Sequence, residues 1–172
     1  MYNKNICIIP GMFDPVTNGH LDMIIRTLKL FDKIYVVSFD NTVKKTMFTA
    51  VERFEMLKLA CEEIEGNEKI AVDVITNGLL VDYAQSKGAE FVVKGVRNSI
   101  DYEYEYNLSV INRKIGNGIE TLFLPAKTEY LYISSTFVKE MILYKRDISD
   151  YVPEKVKNYI GNLSEDKTRG LV

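Results

Sequence analysis

The stretch ICIIPGMFDPVTNGH, residues 6–20, decides the fold. Its first four residues, Ile6-Cys7-Ile8-Ile9, form a continuous apolar run of the kind found in a strand covered on both faces. Pro10-Gly11 ends that run, and the segment through Gly19-His20 leads at once into a helical pattern, with Leu21, Ile24, Ile25, Leu28 and Phe31 on one face. A glycine-rich turn and the chain's only histidine therefore sit at a helix N-terminus. Free backbone N–H groups and the macrodipole favour an anion at such a place.

Outward from this unit the pattern repeats. Strands are expected at residues 6–9, 34–39, 70–75, 90–96 and 120–124, mostly Val/Ile/Phe runs. Between them lie segments of helical period. The second helix opens on the capping box Thr49-Ala50-Val51-Glu52 and continues its apolar stripe through Phe54, Leu57, Cys61 and Ile64. A third spans about 79–87 and is closed by Gly88, and a fourth runs to about Ile115, closed by Gly116. A fifth follows Ser134-Ser135, and a last one starts near Pro153. Tyr102, Tyr104 and Tyr106 alternate with Glu103 and Glu105 as in a strand, yet the placement favoured here is a helix start, with the tyrosines in packing or subunit contact. The expected fold is α/β, a Rossmann-like doubly wound five-stranded parallel sheet with flanking helices and right-handed crossovers. No repeat or linker divides the chain, so residues 1–163 read as a single domain and 164–172 as a polar, frayed tail.

Composition narrows the class. The 172 residues are 47% hydrophobic, enough for a core, and 22 Lys+Arg nearly cancel 24 Asp+Glu. With a pI near 5.6 and no basic stripe, nucleic acid and acidic membranes are disfavoured, and any anion site must be local. The apolar run at the start is too short for a signal peptide or a membrane helix, so a cytosolic protein is expected. Cys7 and Cys61 have no partner at metal-ligand spacing and read as small core residues.

In an open parallel sheet, ligands bind beyond the carboxyl ends of the strands. Four such loops carry phosphate donors: the turn before His20, Lys44-Lys45 after the second strand, Lys94 to Arg97 at the end of the fourth, and Ser134-Ser135-Thr136 after the fifth. Each has an ordinary structural reading as well, since Gly-His and the hydroxyls can merely cap helices and the cations can be solvated or ion-paired. No loop offers a Ser-His-Asp set, a carboxylate pair or a Cys/His metal cluster. Transfer of a nucleotidyl group to a substrate that brings its own phosphate nucleophile needs none of these. Positioning and charge neutralisation suffice.

The turn with Gly11, Phe13-Asp14-Pro15 and Thr17-Asn18-Gly19-His20 resembles the signature of the nucleotidylyltransferase superfamily. Its Thr-x-Gly-His form points to the phosphopantetheine adenylyltransferases. Lys44-Lys45 with Met47-Phe48-Thr49, Gly95-Val96-Arg97, Asp101 to Glu105, Asn112-Arg113 and Ile133 to Thr136 before Val138-Lys139-Glu140 match in register. The resemblance implies adenylyl transfer from ATP to 4′-phosphopantetheine, giving dephospho-coenzyme A and pyrophosphate, with Mg2+ carried on the ATP phosphates, in a homohexamer. It implies catalytic roles for His20, Lys44 and Arg97, and an acceptor site at Met12, Lys44, Leu80 and Lys94. ATP would meet Met12, Phe13, His20, Gly95, Val96, Arg97, Glu105, Tyr130, Leu131, Tyr132, Ile133, Ser134, Ser135 and Thr136. Two departures stand out: Met12, where the family usually carries Ser or Thr, and Lys94, where many members carry Arg. The competing readings are another adenylyltransferase, such as a nicotinate-mononucleotide type, and a catalytically silent nucleotide-binding protein.

Overall fold

The computed structural model describes residues 5–40 and 45–163. Five strands, β1 (Ile6–Gly11), β2 (Lys33–Phe39), β3 (Ile70–Ile75), β4 (Phe91–Val96) and β5 (Glu120–Pro125), form one sheet in the order β3-β2-β1-β4-β5. All four pairings are parallel, as the apolar runs predict. Side chains alternate between the two faces: Cys7, Ile9, Ile34, Val36 and Val93 enter one core, and Ile8, Val37 and Val92 enter the other. Both cysteines lie in the first core, where burial pushes their thiols up to about 12.

The first core is covered by α1 (Asn18–Thr27), α2 (Ala50–Glu62), α5 (Ser135–Leu143) and α6 (Glu154–Asn162), and the second by α3 (Leu80–Lys87). Helix α4 (Ser99–Ile115) packs on β4, β5 and α3. The Thr49/Glu52 capping box is present, and α3 ends at Gly88 in the left-handed region. The tyrosines at 102, 104 and 106 belong to α4, whose N-cap Asn98 accepts the N–H of Asp101 at 2.9 Å. Despite its 17 residues, α4 buries none of them.

Three expectations shift. Strand β1 runs two residues further than its apolar letters, because Pro10 and Gly11 stay in register with Val37 and Ser38. Ile25 lies exposed, whereas Ile24 and Phe31 are buried, Leu21 and Leu28 pack against the same core, and Met23 and Thr27 join them on the inner face. On α2, Leu57, Cys61 and Ile64 are buried as the stripe predicts, joined by Met56, Ala60 and the charged Arg53, while Phe54 is left half-buried at the edge. The polar tail, 164–172, lies outside the described residues.

The topology also builds an opening. The chain steps from β1 to β2 and β3 on one side, then returns to lay β4 and β5 on the other. Strand β4 pairs with β1 only at Cys7–Phe91 and Ile8–Val92 among the described residues. Beyond those pairs the carboxyl ends of β1 and β4 part, and a switch point of this kind is where a parallel sheet admits a ligand.

Candidate active site

A cleft of about 1160 Å³ opens at that switch point. Its wall brings together His20 from the start of α1, Lys45 from the segment after β2, Lys94, Gly95 and Arg97 from the end of β4, and Ser134, Ser135 and Thr136 from the start of α5. Met12, Phe13, Leu80, Glu105, Tyr130 and Ile133 also line it. Lys44 lies outside the described residues. Val96, Leu131 and Tyr132 stand near the cleft in sequence but are not on its wall.

The turn before α1 is shaped around His20. Phe13 sits in the left-handed region at φ 48°, with its ring buried and edge-on to the imidazole at 5.0 Å between centroids. A Cβ on Gly11 would lie 3.0 Å from that ring, which is why glycine precedes it. Thr17 caps the helix, and His20 occupies the position that Glu or Gln usually takes in a capping box. His20 Nδ1 accepts the backbone N–H of Thr17 at 3.1 Å. An acceptor cannot carry the proton, so the neutral ring bears it on Nε2, the other nitrogen. Burial, then the charges of Arg97 and Lys94, push the His20 pKa down to about 4. At neutral pH the ring is an uncharged donor.

The cations are held by named partners. Lys94 Nζ lies 3.1 Å from Glu105 and 3.4 Å from the carbonyl of Pro10. Arg97 donates from Nε to Asp101 at 2.8 Å, and another of its nitrogens reaches the carbonyl of Ile133 at 3.3 Å. Burial acts to raise the Asp101 pKa, and the guanidinium beside it outweighs this and holds the carboxyl below its ordinary range. Ser134 caps α5 by accepting the N–H of Phe137 at 3.1 Å, and Ser135 donates to the carbonyl of Pro15 at 2.8 Å. The capping reading of these hydroxyls thus holds for Ser134, while the helix start still faces the cleft.

Three further groups, two of them letters of the matched motifs, take roles that the sequence does not assign. Lys139 lines the cleft one turn after Ser135 and pairs with Asp14 at 2.9 Å; its i, i+4 spacing from Ser135 was the available signal. Asp14 itself is buried beneath the turn. Arg53 reaches from α2 under the same turn, donating to the carbonyl of Met12 at 3.0 Å, to Ser38 Oγ at 2.7 Å and to Asp40.

The sequence model of the cytidylyltransferase-like family matches residues 8–141. A phosphopantetheine adenylyltransferase of Alkaliphilus metalliredigens (strain QYMF) is 42% identical over 149 residues, covering 87% of this chain and 92% of its own. The chain belongs to the phosphopantetheine adenylyltransferases. Solved structures share the fold of this family member. A putative nicotinate-nucleotide adenylyltransferase from Vibrio parahaemolyticus superposes with a TM-score of 0.68 at 19% identity, over 97% of this chain and 96% of that one. Plasmodium falciparum nicotinic acid mononucleotide adenylyltransferase, complexed with NaAD, gives 0.69 at 19% identity, over 94% of this chain and 97% of that one.

Among the described residues of this phosphopantetheine adenylyltransferase, no cluster of three or more His, Cys, Asp or Glu could hold a metal ion. The cleft-wall carboxylates are engaged already, Asp14 by Lys139, Asp22 by Lys127, Asp40 by Arg53, Asp101 by Arg97 and Glu105 by Lys94. No helix among the described residues is long and apolar enough to cross a membrane.

Proposed function

We propose that the chain transfers the adenylyl group of ATP to 4′-phosphopantetheine, giving dephospho-coenzyme A and pyrophosphate, in coenzyme A biosynthesis. The observation that carries this reading is the 42% identity, over most of both chains, to a phosphopantetheine adenylyltransferase. The convergence of His20, Lys94, Arg97 and the α5 N-terminus on one cleft supports it physically.

In this reading a phosphate oxygen of the acceptor attacks the α-phosphorus of ATP, and the bond to pyrophosphate breaks. Negative charge gathers on the non-bridging oxygens, and the Nε2–H of His20 donates to one of them most strongly as that charge peaks. Lys44 and Lys94 hold the acceptor's phosphate, with Leu80 beside its arm. Arg97 and the amides and hydroxyls at 134–136 hold the phosphates of ATP. Met12 contributes its backbone there, since methionine brings no hydroxyl. Mg2+ arriving with ATP would supply further charge neutralisation across the phosphates. The reaction draws on the cytoplasmic pool of ATP.

We further propose self-assembly, in the family's homohexameric form, through α4. Ile100, Tyr104, Val110, Ile111 and Ile115 stand exposed along this helix, an apolar surface that a second copy would cover.

Purified protein given ATP and Mg2+ should release pyrophosphate only when phosphopantetheine is added. Turnover with nicotinate mononucleotide alone would move the chain to the other adenylyltransferase reading. ATP binding with no product from either acceptor, and no effect of His20→Ala, would leave a silent binder.

A further inference from the structure

Asp14 lies only 1% exposed, yet its carboxylate meets three donors from distant parts of the chain. Oδ1 accepts the N–H of Phe48 at 2.9 Å, and Oδ2 accepts the N–H of Met47 at 3.0 Å and the ammonium of Lys139 at 2.9 Å. Residue 14 belongs to the turn that carries Met12 and His20. Residues 47 and 48 belong to the segment that carries Lys45, and Lys139 belongs to the helix that begins with the hydroxyls at 135 and 136. One carboxylate therefore joins three walls of the cleft. An ionised carboxylate accepts through both oxygens and donates nothing, so three donors suit it and a neutral amide cannot replace it without a clash of donors.

We propose that Asp14 is a positioning residue for adenylyl transfer, pinning the lysine-bearing segment after β2 against the turn that holds His20. The proposal rests on the reading of the cleft given above. Both oxygens of Asp14 are taken by these donors, so it acts through the groups it aligns rather than on the reacting phosphates. A misplacement of roughly 1 Å in such groups costs up to about 100-fold in rate. ATP, held mainly from β4 and α5, should feel the loss less than the transition state does.

The test is Asp14→Asn, which keeps the shape but leaves one acceptor and an NH2 facing a donor. We expect kcat to fall about tenfold or more while the dissociation constant for ATP moves less than about threefold. Hydrogen exchange at the Met47 and Phe48 amides should quicken by about tenfold or more, with the Ile8 and Val36 amides unchanged. A folded variant with kcat within about twofold of the parent overturns the proposal, as does parallel loss of kcat and ATP binding. Should Asp14→Asn fail to fold, exchange in the unmodified protein decides: slow Met47 and Phe48 amides support the clamp, and amides as fast as an open loop overturn it. An unmodified chain without transfer activity would instead sink the reading of the cleft, and the exchange measurement would still judge the clamp.

Discussion

Arg97 and Asp101 face each other across four residues of chain, with Nε 2.8 Å from one carboxylate oxygen and a terminal nitrogen 3.3 Å from the other. The guanidinium is thus pre-aimed, with one further nitrogen on the carbonyl of Ile133 beside the α5 start. Lysine keeps the charge but cannot reproduce this fork. Arg97→Lys should weaken ATP binding about tenfold, measured by calorimetry at constant ionic strength. Unchanged affinity would remove Arg97 from the triphosphate site.

His20→Ala should lower kcat by about 100-fold or more while leaving ATP affinity nearly intact, because its bond strengthens chiefly in the transition state. Single-turnover kinetics with saturating phosphopantetheine separates the two quantities. A variant with the parent's kcat would refute the role.

The same imidazole predicts a pH dependence of stability. Its pKa in the folded chain, about 4, lies below the ordinary 6.5, so the unfolded chain takes up the proton first as pH falls. The stability linked to His20 is whole above pH 6.5 and drains away between there and about 4. Urea titrations of the parent and His20→Ala should therefore converge as pH is lowered through that window. Parallel curves would mean the ring is not held neutral.

Arg53 is a buried charge that donates to the carbonyl of Met12, to Ser38 and to Asp40. Replacing it with methionine removes one donor from each, though Ser38 still donates to the Met12 carbonyl, and should cost about 2–3 kcal/mol in denaturant unfolding. Activity should fall further than stability requires, since the turn bearing Met12 loses its support. A loss under about 1 kcal/mol would show that water replaces the guanidinium at little cost.

Helix α4 supplies a test of assembly. Ile111 is 53% exposed on a helix that buries nothing. Ile111→Glu should shift sedimentation toward smaller species while far-UV circular dichroism stays the same, because the change touches no core. An unaltered sedimentation profile would exclude this face as a subunit contact.

The architecture was legible because its signals are local. Runs such as Ile34 to Phe39 have one comfortable environment, the middle of a parallel sheet, and Thr49 with Glu52 announces a helix start by itself. The turn from Gly11 to His20 was legible for the same reason. Arg53, Asp14 and Lys139 escaped because a charged letter on a helix or turn reads as solvated, and only tertiary contacts such as Asp14 with Lys139 turn it inward. On α2 the same effect widens the inner face, since Arg53 occupies a buried position beside the expected Leu57 and Cys61. The tautomer of His20 was equally hidden: it depends on the turn folding back so that Thr17 donates to the ring.

The short seam between β1 and β4 has a consequence for how such a chain can diverge. Only two residue pairs knit one half of the sheet to the other among the described residues, so above them the gap is set by side chains rather than by a backbone ladder. Widening or narrowing it takes single substitutions at the rim, with no strand re-registered and no core rebuilt. A scaffold that keeps its mouth adjustable and its foundations fixed can change what it admits while continuing to fold.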